Sequence, residues 1–262
     1  MVASAKLHKA QAAIESMLPY ERRLHHILTD FMSNCTEVTS PFIVKREVKK
    51  VAVVVFASNT SLCGGFNANV IRHLVDLLAE YKPLGLENIL VFPVGKKVAD
   101  AVRKLGFRIE GDFQHMADKP SYQEAADLAA DLMKRFLHGD VDKVELLYNH
   151  FKSTASQILT RETYLPIDLN NEKKEEERTI DYILEPSAEE LMQEMLPKVL
   201  RMKMFTVLLD SNAAEHAART MAMQIATDNA NELLQELTVM YNKSRQQSIT
   251  NELLDIVGGS MA

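Results

Sequence analysis

From Lys198 to Val257 the chain runs 60 residues without a glycine or a proline. No other feature constrains the fold as tightly. Ser187 and Glu190 have the spacing of a capping box at the start of this stretch, and Pro197 is the only breaker nearby. At 1.5 Å per residue the uninterrupted part alone makes about 90 Å of helix. The segment ahead of it, about 140 residues long, would fold into a domain about 40 Å across. Most of the helix must therefore project beyond that domain. A projecting helix draws most of its stability from packing, so it has to meet a companion or a partner.

The one companion within the chain is the opening segment. Leu7, Ala10, Ile14, Met17, Leu24, Leu28 and Phe31 follow a 3–4 spacing that only Glu21 breaks, and Pro19 is expected to kink or loosen the helix. With a domain inserted between them, the two helices should run antiparallel. On the C-terminal helix Ala214, Ala218, Ala222, Ala226 and Ala230 form a small-residue ridge, and Ala226, Ala230, Leu233, Leu237 and Met240 a stripe, both expected to face the first helix. The opening pattern begins without a capping signal, which leads to the expectation that the natural element extends further upstream. The lengths do not match, so the far end of the longer helix needs other cover. That end is chemically distinct: Asn242–Glu252 is polar almost all round, and apolar residues resume at Leu253, Leu254, Ile256 and Val257.

Between the helices the period changes. Val51–Phe56 and Asn88–Val94 read as strands buried on both faces, with a possible short strand at Phe107–Ile109, and further strands at Val144–Tyr148, Ser156–Leu165 and Thr179–Leu184. Ala68–Tyr81, Lys96–Leu105 and Ser121–Leu137 read as helices, the last opened by a Ser121/Glu124 capping box. Asn170–Arg178 reads as a solvated, charge-dense loop. The expected architecture is α/β: a three-layer, Rossmann-like domain with a mostly parallel sheet, inserted between two long helices that form an antiparallel coiled coil. The expected boundaries are 1–40, 41–186 and 187–262.

Composition removes several classes. The net charge of -6 argues against a general nucleic-acid binder. Cys35 and Cys63 fit neither a disulfide framework nor a paired-cysteine metal site, and suit a reducing compartment. The longest apolar run, Val51–Ala57, is too short to span a bilayer, so any membrane association is expected through a partner. The turn Ser61-Leu62-Cys63-Gly64-Gly65-Phe66-Asn67 follows a buried strand, where nucleotide loops sit in α/β folds. It lacks the third glycine of the dinucleotide fingerprint and the Gly-Lys-Ser/Thr ending of a phosphate loop. No histidine pair has ligand spacing and no nucleophile elbow occurs. The expectation is a chain with no catalytic site, metal or cofactor of its own.

The run Ala217-Ala218-Arg219-Thr220-Met221-Ala222-Met223, with Ala226-Thr227-Asp228-Asn229-Ala230, closely resembles the γ subunits of F-type ATP synthases. So do Tyr241-Asn242-Lys243-Ser244-Arg245-Gln246, Ile249-Thr250-Asn251-Glu252-Leu253 and Ile256-Val257-Gly258-Gly259, the Leu62–Asn67 turn, Asp181–Pro186 and the opening Met1-Val2-Ala3. The likeness covers the whole chain in order. It departs at Asn59 and Thr60, where the family carries an acid and a base, and in a first helix shorter by roughly twenty residues. The resemblance implies a rotary shaft passing through a ring of α and β subunits, with the α/β domain as a foot near the membrane c-ring and the ε subunit. It implies that proton flow through the c-ring is coupled to ATP synthesis or hydrolysis on the β subunits. It places Arg245, Gln246, Thr250 and Glu252 at a tip that engages a β-subunit loop, and Arg219 on the shaft near the mouth of the ring. Cys63, Gly64 and Gly65 would lie in the foot near the c-ring and ε. The implied location is the cytoplasmic side of a bacterial inner membrane, held through partners.

Two other readings compete. A small α/β nucleotide-binding enzyme with a helical oligomerisation arm would bind nucleotide saturably as an isolated chain. A generic coiled-coil scaffold would have no use for the polar Asn242–Glu252 tip.

Overall fold

Six consecutive β-branched, small or aromatic residues, Val51–Phe56, are buried on both faces and form β1, the central strand of a five-stranded sheet. A computed structural model of the chain describes residues 2–34, 40–167 and 188–260. The elements are α1 (Val2–Asn34), β1, α2 (Phe66–Tyr81), β2 (Ile89–Val94), α3 (Lys96–Leu105), β3 (Arg108–Ile109), α4 (Gln114–Asp118), α5 (Tyr122–His138), β4 (Lys143–Ser153), β5 (Ser156–Leu165) and α6 (Ala188–Ser260), joined by short 3₁₀ turns. The order across the sheet is β3-β2-β1-β4-β5, parallel except for β5, which returns antiparallel along β4.

Period-two alternation in β1 divides the core. Val51, Val53 and Val55 face a layer with Val70, Leu74 and Leu78 of α2 and Val98 and Val102 of α3. Ala52, Val54 and Phe56 face the opposite layer, where Leu132 and Phe136 of α5 meet Met192, Leu196, Leu200, Met204 and Leu208 of α6. The expected three-layer α/β architecture is thus present, with one change of emphasis. The first third of α6 is part of the foot's own core rather than a separate arm.

The predicted elements match closely at β1, α3 and β5, and β4 runs on to Ser153, well past the predicted Tyr148. The Ser121/Glu124 capping box does not form. Ser121 makes no side-chain cap, and the Glu124 carboxylate, the other half of the box, turns to His115 of α4, 3.3 Å away. The predicted 170–178 loop, the 179–184 strand, the Ser187 cap, Cys35 and the Phe31 side chain lie outside what the structure describes.

Helix α1 runs through Pro19 as one element and packs on α6 with Leu7, Ala10, Ile14 and Leu28 buried. Lys203 of α6 lies 3.8 Å from Glu21, while Lys6 is close enough to Glu215 and His216 to shift both. The pair is therefore antiparallel. Glu21, the one interruption in the apolar stripe, is the residue that meets Lys203. This register puts Leu7, Ala10 and Ile14 at the level of Leu209, Ala213 and Ala217, all buried.

At the other side of the sheet Glu145, 2% exposed, is held by Lys143 (2.6 Å), Arg161 (3.0 Å) and the Tyr81 hydroxyl (2.9 Å). Burial pushes its carboxyl up, but these cations and the hydroxyl outweigh burial and hold it below the usual carboxylate range. Glu145→Gln strands two half-buried cations and should cost about 2 kcal/mol of foot stability in urea unfolding followed by circular dichroism. The folded carboxyl titrates below its unfolded value, about 4.3. The stabilisation is therefore full above that pH and fades as pH falls through the folded value. The gap between wild type and variant should be flat from about pH 8 to 5 and narrow below about pH 4. A gap that widens on acidification would contradict the assignment.

Candidate functional site

Helix α6 has 73 residues, about 110 Å of helix, and its surface changes character at Thr220. Up to that level nearly every turn carries buried residues; from Met223 to Val257 every side chain is exposed. Leu233, Leu237 and Met240, expected to face the first helix, are 55–60% exposed, and Ala226 and Ala230 are exposed too. The antiparallel register explains this, since α1 reaches its Val2 end opposite about residue 220.

The alanine ridge faces a different neighbour from the expected one. Ala214 packs with Cys63 and Phe66, Ala218 joins them with Phe151, and a Cβ on Gly64 would sit 3.8 Å from that of Ala222. The ridge is therefore the dock of the glycine turn. The stripe one residue back, Ala213 and Ala217, is fully buried at the level of α1. One residue is about 100° around a helix, enough to give the two stripes different surroundings.

The turn is built to hold that position. The Asn67 side chain accepts from the Ser58 amide (3.1 Å) and donates to Ser58 Oγ (2.7 Å) and Cys63 Sγ (3.1 Å). Gly64 takes a left-handed φ of +58°, and Leu62 does so too at +69° while 71% exposed. A non-glycine residue in that region stores strain that the surroundings must impose. Asn59 bridges neighbouring loops, donating to the Gln114 carbonyl (2.8 Å) and accepting from the Lys96 amide (2.8 Å). An acid at this position could accept but not donate.

Arg219 is not a free shaft residue. It pairs with Glu215 one turn earlier and donates to Thr60 Oγ1 (2.9 Å) and the Ser61 carbonyl (3.5 Å), which fastens the shaft to the glycine turn. Burial pushes the Glu215 carboxyl up and Arg219 draws it back. Burial, with Arg219 and Lys6 adding positive potential, pushes His216 down to about 4, so it is neutral near pH 7. Below this level α6 is fastened again. Asp210, buried, accepts from the Phe151 amide (2.8 Å) and lies 2.6 Å from His150 Nδ1. Asn212 donates to the Ala117 carbonyl (2.9 Å), Lys203 pairs with Glu162 (3.0 Å), and the Tyr164 hydroxyl donates to the Leu200 carbonyl (2.8 Å).

Arg245, Gln246, Thr250 and Glu252 all lie on the exposed part of α6, far along the chain from the fastened region. Spacing of four puts Gln246 beside Thr250, and spacing of seven puts Arg245 and Glu252 two turns apart on one line of a different face. The Thr250 hydroxyl donates to the Gln246 carbonyl (2.8 Å). The structure thus separates the candidate residues into two groups: the four tip residues, and Arg219 with Cys63, Gly64 and Gly65 where the shaft leaves the foot. Thr60, Asp210, His150 and Glu215 were missed. Two signals were present: the Glu215–Arg219 spacing of four, and Asp210 directly after the apolar run Val207–Leu209. The crevice at the end of β1, where α/β folds hold nucleotides, is filled here by the turn's own bonds and by the alanines of α6.

The fold and this surface define a stalk component: a small α/β foot with a long helix rooted in its core and projecting bare from it. The chain belongs to the ATP synthase gamma chain family. The family described as ATP synthase matches residues 1–262. The gamma chain of Phocaeicola vulgatus is 80% identical over the whole of this chain and 91% of its own length, and that of Bacteroides fragilis 63% over the same shares. The fold matches a chain from the central stalk and c-ring of the Tetrahymena thermophila mitochondrial ATP synthase, with a TM-score of 0.58 at 19% identity, covering 87% of this chain and all of that one. A chain of the Euglena gracilis mitochondrial enzyme gives 0.55 at 20% identity, covering 99% and 95%. Among the described residues no helix is long and apolar enough to cross a membrane.

The two roles of the alanine ridge can be separated. Ala214→Leu should overpack the turn and cost about 1–3 kcal/mol. Ala226→Leu, three turns further along the same ridge but exposed, should change stability by less than about 0.5 kcal/mol. Thermal melts of the two variants followed by circular dichroism check this; equal losses would mean that the turn does not dock on the ridge.

Proposed function

We propose that this chain is the central shaft of a proton-driven ATP synthase, its foot turned by the c-ring and its bare helix turning within the ring of α and β subunits. The observation that carries this reading is the sharp division of α6: rooted and pinned up to Thr220, exposed on all sides beyond it. A helix exposed all round has no intrachain function for its far half. Inside a ring it offers a different face to each surrounding subunit. That is the differential contact needed to hold chemically identical sites in different states.

In this reading the chain has no catalytic site of its own, and bond formation between ADP and phosphate belongs to the β subunits. Arg245, Gln246, Thr250 and Glu252 engage a β-subunit loop. Arg219 acts where the shaft leaves the foot, and the Cys63–Gly65 turn, whose two glycines are exposed, contributes to the foot's contact with the c-ring and ε. The chain sits on the cytoplasmic side of a bacterial inner membrane and is held there by its partners.

Removing Arg245–Ala262, or Arg245→Glu, should lower ATP synthesis in energised membrane vesicles by about fivefold or more while the foot stays folded. The foot is checked by circular dichroism and by co-purification with α and β. Full synthesis in the deletion variant would remove the tip from the mechanism. A chain that never co-purifies with α and β subunits would remove the shaft reading altogether.

A further inference from the structure

The foot meets α6 on the faces that carry Asp210, Ala214, Ala218 and Arg219, and the character of that contact changes from one to the next. Asp210 and Arg219 are nine residues apart. At 3.6 residues per turn they point in nearly opposite directions, about 13 Å apart along the axis. Between them lie the alanines at 214 and 218, covered by Cys63, Phe66 and Phe151. Methyl groups permit close approach but present a shallow surface with little to catch on when a helix is twisted about its own axis. The polar contacts flank the alanines: Arg219 and Asn212, which donates to the Ala117 carbonyl, on one side and Asp210 on the other. Arg219 is tied at its margin to the glycine turn through Thr60 and Ser61. Asp210 is tied at the opposite margin to the part of the β4–β5 hairpin that runs beyond the end of β1, through the Phe151 amide and His150.

We propose that Asp210 and His150 form a torsional pin: positioning residues that keep the shaft from turning within its foot, so that rotation of the foot is delivered to the projecting helix. The inference rests on the shaft reading above. Three features support it. Asp210 is a buried carboxylate that follows the apolar run Val207–Leu209, where a charge is costly unless it is held. Its two oxygens are used separately, one on a backbone amide and one on an imidazole, which fixes its direction as well as its place. Both partners belong to adjacent residues of one hairpin, so a twist of α6 stretches both bonds at once. His150 is half exposed and supports no core.

The test uses the assembled ATP synthase with wild-type chain, His150→Ala or Asp210→Ala. Two quantities are read: protons pumped per ATP hydrolysed in inverted membrane vesicles, and the angular variance of a probe on the foot with the α/β head immobilised. With the Arg219, Asn212, Lys203 and Tyr164 fastenings still in place, loss of the hairpin margin should raise the variance by about a third or more in Asp210→Ala, with a smaller rise in His150→Ala. Protons pumped per ATP should fall while the hydrolysis rate stays within about twofold of wild type. A residue needed only for folding would instead lower the amount of complex and leave the ratio and the variance unchanged. Wild-type variance and pumping ratio in Asp210→Ala overturn the proposal. Should that variant not assemble, the same result in His150→Ala overturns it. A wild-type complex in which the foot does not rotate against the head would instead overturn the shaft reading.

Discussion

A helix that must carry a twist has to be caught by something that does not turn with it, and in this chain that need is met within about fifteen Å of α6. Between Asp210 and Arg219 the foot offers alanine contact in the middle and charge-assisted hydrogen bonds at both margins. Every other feature depends on this stretch. Below it, Met192–Leu208 complete the second layer of the α/β core, so the shaft cannot be withdrawn without exposing the sheet. Above it, from Met223 onward, α6 has no cover among the described residues. Its exposed Leu233, Leu237, Met240 and Tyr241 make sense only against another subunit.

Strain and polar bonding in the glycine turn serve the same end. A left-handed Leu62, a left-handed Gly64 and the bonds of Asn67 shape a turn narrow enough to lie against Ala222. In many doubly wound folds the loop after the first strand cradles a phosphate at the start of the next helix. Here the same position receives a helix of its own chain. The site keeps its place in the fold and changes its occupant.

Much of this was legible in the sequence, for identifiable reasons. Strands buried on both faces announce themselves as continuous β-branched runs, and the absence of Gly and Pro from Lys198 to Val257 is a direct statement about helix length. The family motif at the C-terminal end is what motivates the proposal that Arg245, Gln246, Thr250 and Glu252 form a partner-facing tip. What the sequence did not disclose is which neighbour each stripe of α6 meets. Ala213 and Ala214 are adjacent in the chain and alike in chemistry, yet one belongs to the level of α1 and the other to the turn. Nor did the sequence disclose that a short helix brings His115 within reach of Glu124, the other half of the unformed Ser121 box. Arg219, whose motif suggested a contact with another subunit, is engaged within its own chain by Glu215 and Thr60.

The central claim is that α6 is rooted up to Thr220 and partner-dependent beyond it. Amide hydrogen exchange along α6, in the free chain and in the assembled ATP synthase, tests this most directly. The account predicts that amides from Leu200 to Arg219 are protected in both states, and that those from Met221 to Val257 exchange rapidly in the free chain and become protected on assembly. Equal protection along the whole helix in the free chain, or rapid exchange between Leu200 and Arg219, would contradict it.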